Sequence, residues 1–378
     1  MLDRNRRGEE PRTRVADSID RVSGAALFRV RDVGLALLAL ALGCALVKRF
    51  VALDSRGALG ATLAEFAGRK DEIDALLLGS SHFRQGFDTA LLERELAAEG
   101  LEFRAFNCGV PGLRSLEQGF LLEHLLAQQP ARLKWVVLEA GPIRVDAERD
   151  YEHGDDPTAI TARAIQSRSF AASWRALAAI HHGALPLSEK VVRAGRELEL
   201  LARNQFNVGV LADRLGGARR AARQERAGVP LELDAESGAR ERAQRAQARA
   251  ERNRAALTDS VHRAVAQQVA AGNRERVSAD ELDLGFHPWL ERAAARAGAR
   301  VVYVTAPSAT ASTDALSLAE LGELSPLIHL NDPERFPELF QLELRRDLDH
   351  LNPLGAERFS RLFAAEFAKL VRAERGVR

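Results

Sequence analysis

Cysteine, methionine, tyrosine and net charge are all scarce in this chain of 378 residues. It has 2 cysteines, 1 methionine and 2 tyrosines, and its formal net charge is +1. Cys44 lies inside an apolar run, so a disulfide with Cys108 is not expected, and two isolated cysteines are too few for a zinc site. A charge so close to zero gives no global attraction to nucleic acid. The sequence therefore predicts no disulfide framework, no cysteine metal site and no nucleic-acid partner.

The rest of the composition is typical of a folded protein. Hydrophobic residues make up 46% of the chain and charged residues 28%. These proportions exclude wholesale disorder, because enough apolar surface is available to build a core. We find no internal repeats, and the length allows one large catalytic domain with additions or two modest domains.

One long apolar run decides the predicted topology. It reads VGLALLALALGCALV from Val33 and continues beyond Lys48 and Arg49 to Leu53. The uninterrupted part is roughly 15 residues long, against about 20 for a comfortable span, but the flanks extend it if both basic side chains snorkel. The preceding tail has the positive-inside pattern, with arginines at Arg4, Arg6, Arg7, Arg12, Arg14, Arg21, Arg29 and Arg31. We predict a cytoplasmic tail at 1–32 and a single transmembrane anchor at 33–53.

Three other interpretations of this run remain open. A cleaved signal peptide would need a shorter leader and a nearby A-x-A-like cleavage site, and neither is present. A buried core helix is the second alternative. Lipid modification of Cys44 after Ala41-Leu42-Gly43 is the third, although that sequence fits such a site poorly. The membrane anchor remains the preferred interpretation.

The remainder of the chain has an α/β pattern. Short apolar runs that suit strands buried on both faces of a parallel sheet occur at 73–78, 103–106, 134–139, 300–305 and 327–330. Helical spacing occurs at 58–70, 89–99, 116–128, 288–297 and 353–372. This alternation predicts an α/β fold, a three-layer α/β/α sandwich with a mainly parallel sheet of about five strands.

The pattern is interrupted between residues 151 and 284, where the chain becomes helical and strongly charged. Alanine, leucine and valine recur there at three- and four-residue steps from Ala239 to Ala264, which predicts a long helix or helical hairpin. This helical insertion divides the predicted domain into a first part at 54–150 and a second part at 285–378. It is either a lid or partner-binding element, or a solvated helical extension.

A serine follows the first predicted strand in Gly79-Ser80-Ser81-His82. Ligands bind at this edge of a parallel sheet, and the turn into a helix offers backbone N–H groups to an anion. The simpler alternative is that the serines only cap the helix. Ser81 is therefore a candidate nucleophile that needs a partner elsewhere in the chain.

A candidate partner lies just before the last predicted helix, in Asp347-Leu348-Asp349-His350 followed by LNPLG. A serine hydroxyl is a poor nucleophile until a base takes its proton, and the base needs a carboxylate to orient it. Asp347 and His350 can supply both functions on one turn. A surface turn ahead of a helix is the alternative for this segment taken alone.

Together and in this order, the two segments resemble the SGNH (GDSL-like) hydrolase superfamily. The resemblance identifies Ser81 as nucleophile, Asp347 as orienting acid and His350 as base. It also implies an oxyanion hole formed by the N–H groups of Ser81 and of Gly109, which lies in FNCGVPG after the second strand. The His-Leu-Asn-Pro-x-Gly continuation is the most specific match. The resemblance covers residues 73–144 and 300–370.

The GSSH form of the first block resembles a membrane-anchored branch related to cell-envelope polysaccharide O-acyltransferases and esterases. This implies an enzyme of the bacterial inner membrane with one span and its C-terminal domain outside the cytoplasm. The substrate class would be a glycan or an acylated small molecule, and a membrane-bound acyltransferase is a candidate partner. The chemistry needs no metal and no cofactor, and the oligomeric state cannot be read from the sequence.

The third block departs from the family pattern. An asparagine that donates to the oxyanion is expected after the third strand, but the chain reads LEAGPIR from Leu138. Either Arg144 takes that role or the oxyanion hole has two members; loss of one donor costs about 100- to 1000-fold in rate. A catalytically degenerate scaffold or glycan-binding subunit of a polysaccharide assembly is therefore the main alternative. A lipase or lysophospholipase acting at the bilayer is a third.

Several polar residues remain as weaker candidates. His82, Asn107 and Arg144 are candidates for contact with substrate; for His82 a structural role at the end of the strand is the preferred alternative. Asp349 is an alternative to Asp347 as the orienting carboxylate. Glu139 is either a carboxylate of the site or a charge that ends a strand.

Overall fold

A computed structural model describes residues 57–113, 115–140, 258–279, 282 and 284–376, with isolated positions at 35, 38, 39, 42, 43, 187, 188 and 191. The chain forms two compact units, Met1–Val51 and Ala52–Arg378, and the second contains the sheet. Arg144, residues 151–257 apart from the isolated positions, and most of the predicted span at 33–53 lie outside the described residues. Among the described residues no helix is long and apolar enough to cross a membrane. The predicted domain boundaries stay predictions.

Five parallel strands form the centre of the fold, which confirms the α/β class. They are β1 (Ala75–Gly79), β2 (Ala105–Gly109), β3 (Trp135–Glu139), β4 (Arg300–Thr305) and β5 (Leu327–His329). Their order is β2-β1-β3-β4-β5, and each neighbouring pair is parallel. The predicted second strand ended too early: β2 continues through Asn107 to Gly109, because these residues keep pairing with β1 although Asn107 is polar.

Eight helices accompany the sheet in the described part of the chain. They are α1 (Gly57–Arg69), α2 (Ser81–Gly86), α3 (Thr89–Ala98), α4 (Ser115–Leu126), α5 (Asp259–Gly272), α6 (Phe286–Arg296), α7 (Thr313–Glu320) and α8 (Pro353–Gly376). Short 3₁₀ turns occupy Lys70–Glu72, Pro337–Phe340 and Leu342–Leu344. The α5 helix overlaps the end of the segment where alanine spacing predicts a helix, and it buries Val269 in the core.

Apolar side chains cover both faces of the sheet. On one face Leu76, Leu78, Val136 and Tyr303 pack with residues of α1, α4 and α6 such as Phe66, Phe120 and Trp289. On the other face Leu77, Val137, Val302 and Val304 pack with residues of α2, α3 and α8 such as Phe83, Leu92 and Phe359. All five residues of β1 are buried, as expected for a strand enclosed between helical layers.

The last helix packs against the first helices after β1. Phe87 contacts the rings of Phe359 and Phe363 with centroid distances of 4.9 and 5.0 Å. The buried Ser360 hydroxyl accepts a hydrogen bond of 2.9 Å from the Asp88 N–H. This packing brings the segment just before α8 to the carboxyl edge of β1.

Candidate active site

The carboxyl ends of the parallel strands form one edge of the sheet, where the candidate residues collect. Gly109, Gly79 and Glu139 are the last residues of the adjacent strands β2, β1 and β3, in that order across the sheet. The strand order reverses direction at β1, and the crevice at such a reversal is the usual ligand site of an open α/β sheet. Ser81 follows β1 directly and therefore lies at this crevice.

The two serines after β1 have different roles. Ser80 is the N-cap of α2, and its hydroxyl accepts a hydrogen bond of 3.2 Å from the His82 N–H. The same hydroxyl donates to Glu139 at 3.0 Å. Ser81 is the first residue of α2, and its Oγ lies 2.8 Å from Nε2 of His350. Ser81 is thus the serine with a base within reach, and the capping role belongs to its neighbour.

The predicted acid and base form one hydrogen-bonded unit. Nδ1 of His350 lies 2.8 Å from Oδ1 and 3.0 Å from Oδ2 of Asp347. Oδ1 also accepts the N–H groups of Asp349 at 2.9 Å and of His350 at 2.8 Å. Partial burial works against the charged carboxylate, but these hydrogen bonds and the neighbouring imidazole outweigh it and lower the pKa of Asp347. The carboxylate is therefore anionic at neutral pH and fixes the tautomer of His350.

The alternative carboxylate, Asp349, contacts the loop that follows β4 and not the imidazole of His350. Its Oδ1 accepts hydrogen bonds from the Ala309 N–H at 3.1 Å and from the Ser308 hydroxyl at 3.4 Å. These residues belong to the loop that follows β4. Asp349 therefore ties the loop of the base to the sheet, whereas Asp347 contacts the imidazole.

A buried arginine supports the loop that carries the base. Arg345 is only 3% exposed, and its guanidinium donates to the carbonyl groups of Pro307, Leu339 and Leu348. Burial lowers its pKa to about 10, against the opposing effect of Asp349 and Asp347, so it remains charged at neutral pH. No spacing signal in the sequence marks a buried arginine in a loop, so its role could not be predicted.

The continuation of the motif is explained by the start of α8. The side-chain oxygen of Asn352 accepts the Gly355 N–H at 3.0 Å, which is the bond that an N-cap residue makes. Pro353 follows as the first residue of the helix, where its missing N–H costs nothing. The side-chain amide of Asn352 also donates to the Glu343 carbonyl at 2.6 Å. Asn352 and Pro353 therefore fix where the loop that carries His350 ends and α8 begins.

Gly109 and Asn107 lie beside α2, but their polar groups contact each other. The Gly109 N–H donates to the side-chain oxygen of Asn107 at 2.9 Å, and the Asn107 amide donates to the carbonyls of Phe83 at 2.9 Å and Phe87 at 3.4 Å. A Cβ atom on Gly109 would lie 2.3 Å from the Arg84 nitrogen. Both residues therefore hold α2 against β2. Their roles toward substrate stay predictions, and a hydrogen bond to substrate would have to replace one of these bonds.

Two residues that were weaker candidates form a second pair. Nδ1 of His82 lies 2.8 Å from Oε1 of Glu139. From the sequence, Glu139 was either a carboxylate of the site or a charge that ends a strand, and its contact with His82 was not predicted. One signal was present: a charged residue that ends a buried strand next to β1 must lie at the same edge as Ser81.

The arrangement around Ser81 can perform nucleophilic chemistry. Hydroxyl, imidazole and carboxylate are within hydrogen-bonding distance in the order that proton removal from the serine requires. In the described segments no group of histidine, cysteine, aspartate and glutamate side chains could hold a metal ion. The buried Cys108 is not a second nucleophile, because burial raises the pKa of its thiol to about 12.

Comparison with known proteins adds no relative to this picture. No protein-family model, no curated protein and no solved structure matches the chain.

Proposed function

We propose that this protein is a serine esterase or O-acyltransferase with an SGNH-like catalytic domain. The single observation that carries the proposal is the hydrogen-bonded series from Ser81 through His350 to Asp347. Its members come from distant parts of the chain, and the base lies 269 positions after the nucleophile in the sequence. An accidental surface contact would not explain why Asp347, Asp349 and Arg345 all fix the same loop.

The reaction follows from these three side chains. Ser81 Oγ attacks the carbonyl carbon of an ester while His350 takes its proton, and Asp347 stabilises the imidazolium. The carbon–oxygen bond to the leaving group breaks, and His350 returns the proton to that oxygen. Water or a sugar hydroxyl then gives its proton to His350 and attacks the acyl carbon, and Ser81 leaves with the proton. Water makes the protein an esterase, and a sugar hydroxyl makes it an O-acyltransferase.

The proposed substrate is an envelope or extracellular glycan. It is supported by the apolar run at 33–53 and the arginine-rich tail before it, which favour a single span with the catalytic part outside the cytoplasm. An anchored enzyme on that side meets a growing polymer at the membrane. A membrane-bound acyltransferase is the proposed source of acyl groups.

A non-catalytic scaffold is the second candidate, and one observation favours it. The Gly109 N–H, which was expected to stabilise the oxyanion, donates to Asn107 instead. A site with few oxyanion donors binds an acyl group without turning it over at a useful rate.

The glycan proposal is tested in the source organism by replacing the chromosomal gene with Ser81→Ala and Ser80→Ala variants. Acetyl content of the isolated surface polymers is then measured by nuclear magnetic resonance. We expect a polymer with altered acetylation in the Ser81→Ala strain, and a smaller change in the Ser80→Ala strain, since Ser80 lacks contact with the base. Unchanged acetylation of every polymer in the Ser81→Ala strain would refute the glycan assignment.

A further inference from the structure

A second imidazole–carboxylate pair lies directly beside the first. The rings of His82 and His350 are stacked, with centroids 5.2 Å apart and an angle of 29° between the planes. His82 Nδ1 lies 2.8 Å from Glu139, as His350 Nδ1 lies 2.8 Å from Asp347. Each imidazole therefore has a carboxylate at Nδ1, and each has an Nε2 atom left for another partner.

The carboxylate of Glu139 is fixed by the turn that carries the nucleophile. Both the N–H and the hydroxyl of Ser80 donate to it. The Glu139 side chain is 13% exposed and fills the space beside Gly79, where an added Cβ would lie 2.6 Å from its Oε2. Gln118 donates to the carbonyls of Leu78 at 2.7 Å and Glu139 at 3.3 Å, which holds the two strand ends together. A charge that only ended a strand would not need to be held by hydrogen bonds in this way.

Three charged side chains act on His82. Burial, the largest single influence, favours the neutral ring, and Arg345 does the same. The hydrogen bond and charge of Glu139, together with Asp349, outweigh them, so the pKa of His82 is raised. The remaining neighbour is the stacked ring of His350. Protonated histidine carries an N–H on both nitrogens, so Nε2 becomes a donor.

This donor has no acceptor. Nε2 of His82 is buried and has no hydrogen-bond partner within the described parts of the chain. Leaving such a group unpaired is costly, and unpaired buried groups of this kind occur at functional sites. The unpaired Nε2–H of His82 is therefore available to donate a hydrogen bond to a ligand atom.

Besides the N–H of Ser81, the proposed reaction needs a further donor of this kind. As Ser81 attacks, the electron pair of the carbonyl moves to its oxygen, and the resulting oxyanion needs preorganised donors. The Gly109 N–H is engaged by Asn107. We propose that His82 is a catalytic residue whose Nε2–H donates to the carbonyl oxygen attacked by Ser81, with Glu139 as its positioning residue. The proton stays on His82 throughout, and the proposal rests on the acyl-transfer function proposed above.

A pH dependence follows from the ring of His82. Neutral His82 keeps its proton on Nδ1, toward Glu139, and its Nε2 then has no hydrogen to donate. The rate therefore falls as the pH rises through the raised pKa of His82.

The test uses the purified full-length chain and p-nitrophenyl acetate as the probe ester. Values of kcat and KM are measured from mildly acidic to mildly alkaline pH for wild type, His82→Phe, His82→Gln and Glu139→Gln. We expect His82→Phe to lose about 10²- to 10³-fold in kcat with little change in KM. His82→Gln keeps an amide donor that does not titrate, so it should recover part of the rate and lose the alkaline fall. Glu139→Gln should move the alkaline fall to lower pH.

Full activity and an unchanged pH profile in His82→Phe would overturn this inference while leaving the proposed function intact. If His82→Phe unfolds in a thermal melt, the profiles of His82→Gln and Glu139→Gln decide, and an unchanged alkaline limb in both would overturn it. If wild type turns over no ester, the pH dependence of fluorophosphonate labelling replaces turnover. A folded wild type that is neither active nor labelled refutes the proposed function, and the inference falls with it.

Discussion

The two imidazole–carboxylate pairs at the sheet edge differ in how the chain builds them. Asp347 and His350 are three residues apart on one loop, and their side chains are 29% and 23% exposed. Glu139 ends β3 and His82 lies 57 residues away in α2, just after β1; their side chains are 13% and 23% exposed. The first pair (Asp347 and His350, the loop pair) is oriented by a local turn. The second pair (Glu139 and His82, the sheet pair) depends on the register between β1 and β3.

In the proposed reaction this difference separates a proton acceptor from a donor. Nε2 of His350 reaches the hydroxyl of Ser81 at 2.8 Å, so this ring can take the proton of that hydroxyl. Nε2 of His82 has no partner in the described residues, while its Nδ1 is shared between Glu139 and the Ser80 hydroxyl at 3.1 Å. The proposed reaction therefore changes the charge of the loop pair and leaves that of the sheet pair unchanged.

The largest effect is expected from neutralising the carboxylate of the loop pair. Asp347→Asn keeps the size of the side chain but presents an amide to Nδ1, which favours the wrong tautomer of His350. We expect a loss of about 10⁴-fold in kcat on p-nitrophenyl acetate. Asp349→Asn is the matched control two residues away; it keeps an oxygen for Ala309 and should lose far less. Equal losses in the two variants would contradict the assignment of Asp347.

A smaller effect is expected from crowding the sheet pair without changing its chemistry. In Gly79→Ala the new methyl group would lie 2.6 Å from Oε2 of Glu139 and 2.6 Å from Cγ of Phe83. We expect a loss of about 1–3 kcal/mol in the free energy of unfolding, measured with urea, because neither neighbour has space to move. The displaced carboxylate should also lower kcat.

Gly68→Ala is the control for this substitution. It lies in α1 with no heavy atom within 4 Å of the added carbon, and alanine in a helix is favoured over glycine by up to about 1 kcal/mol. Gly68→Ala should therefore be neutral or stabilising. A Gly79→Ala variant as stable and as active as Gly68→Ala would show that Glu139 does not need its observed position.

The same contrast explains what the sequence could predict. Apolar runs such as 73–78 and 300–305 identify buried strands because both faces of the sheet are covered, and the structure confirms a parallel α/β sheet. The loop pair was found because Asp347 and His350 are neighbours in a short motif. The end of β2 was misjudged at Asn107, where a polar side chain bonds to α2 rather than ending the strand.

The contacts that were missed all join distant segments. Glu139 meets His82 only because β3 pairs with β1, and no spacing within the chain indicates that contact. The bond from Gly109 to Asn107 and the carbonyl groups around Arg345 likewise depend on backbone positions that residue types do not specify. The sequence therefore predicts which residues form the candidate site, but it does not determine how their neighbours orient them.

The most direct test of the account is covalent labelling of the nucleophile. The full-length chain is treated with a fluorophosphonate probe, and the modified peptide is identified by mass spectrometry in wild type, Ser81→Ala, Ser80→Ala and His350→Ala. We predict that the probe is attached to Ser81 in wild type, that labelling persists in Ser80→Ala, and that it is lost in both other variants. A folded wild type that remains unlabelled, or labelling that survives in Ser81→Ala, would contradict the claim that Ser81 is an activated nucleophile.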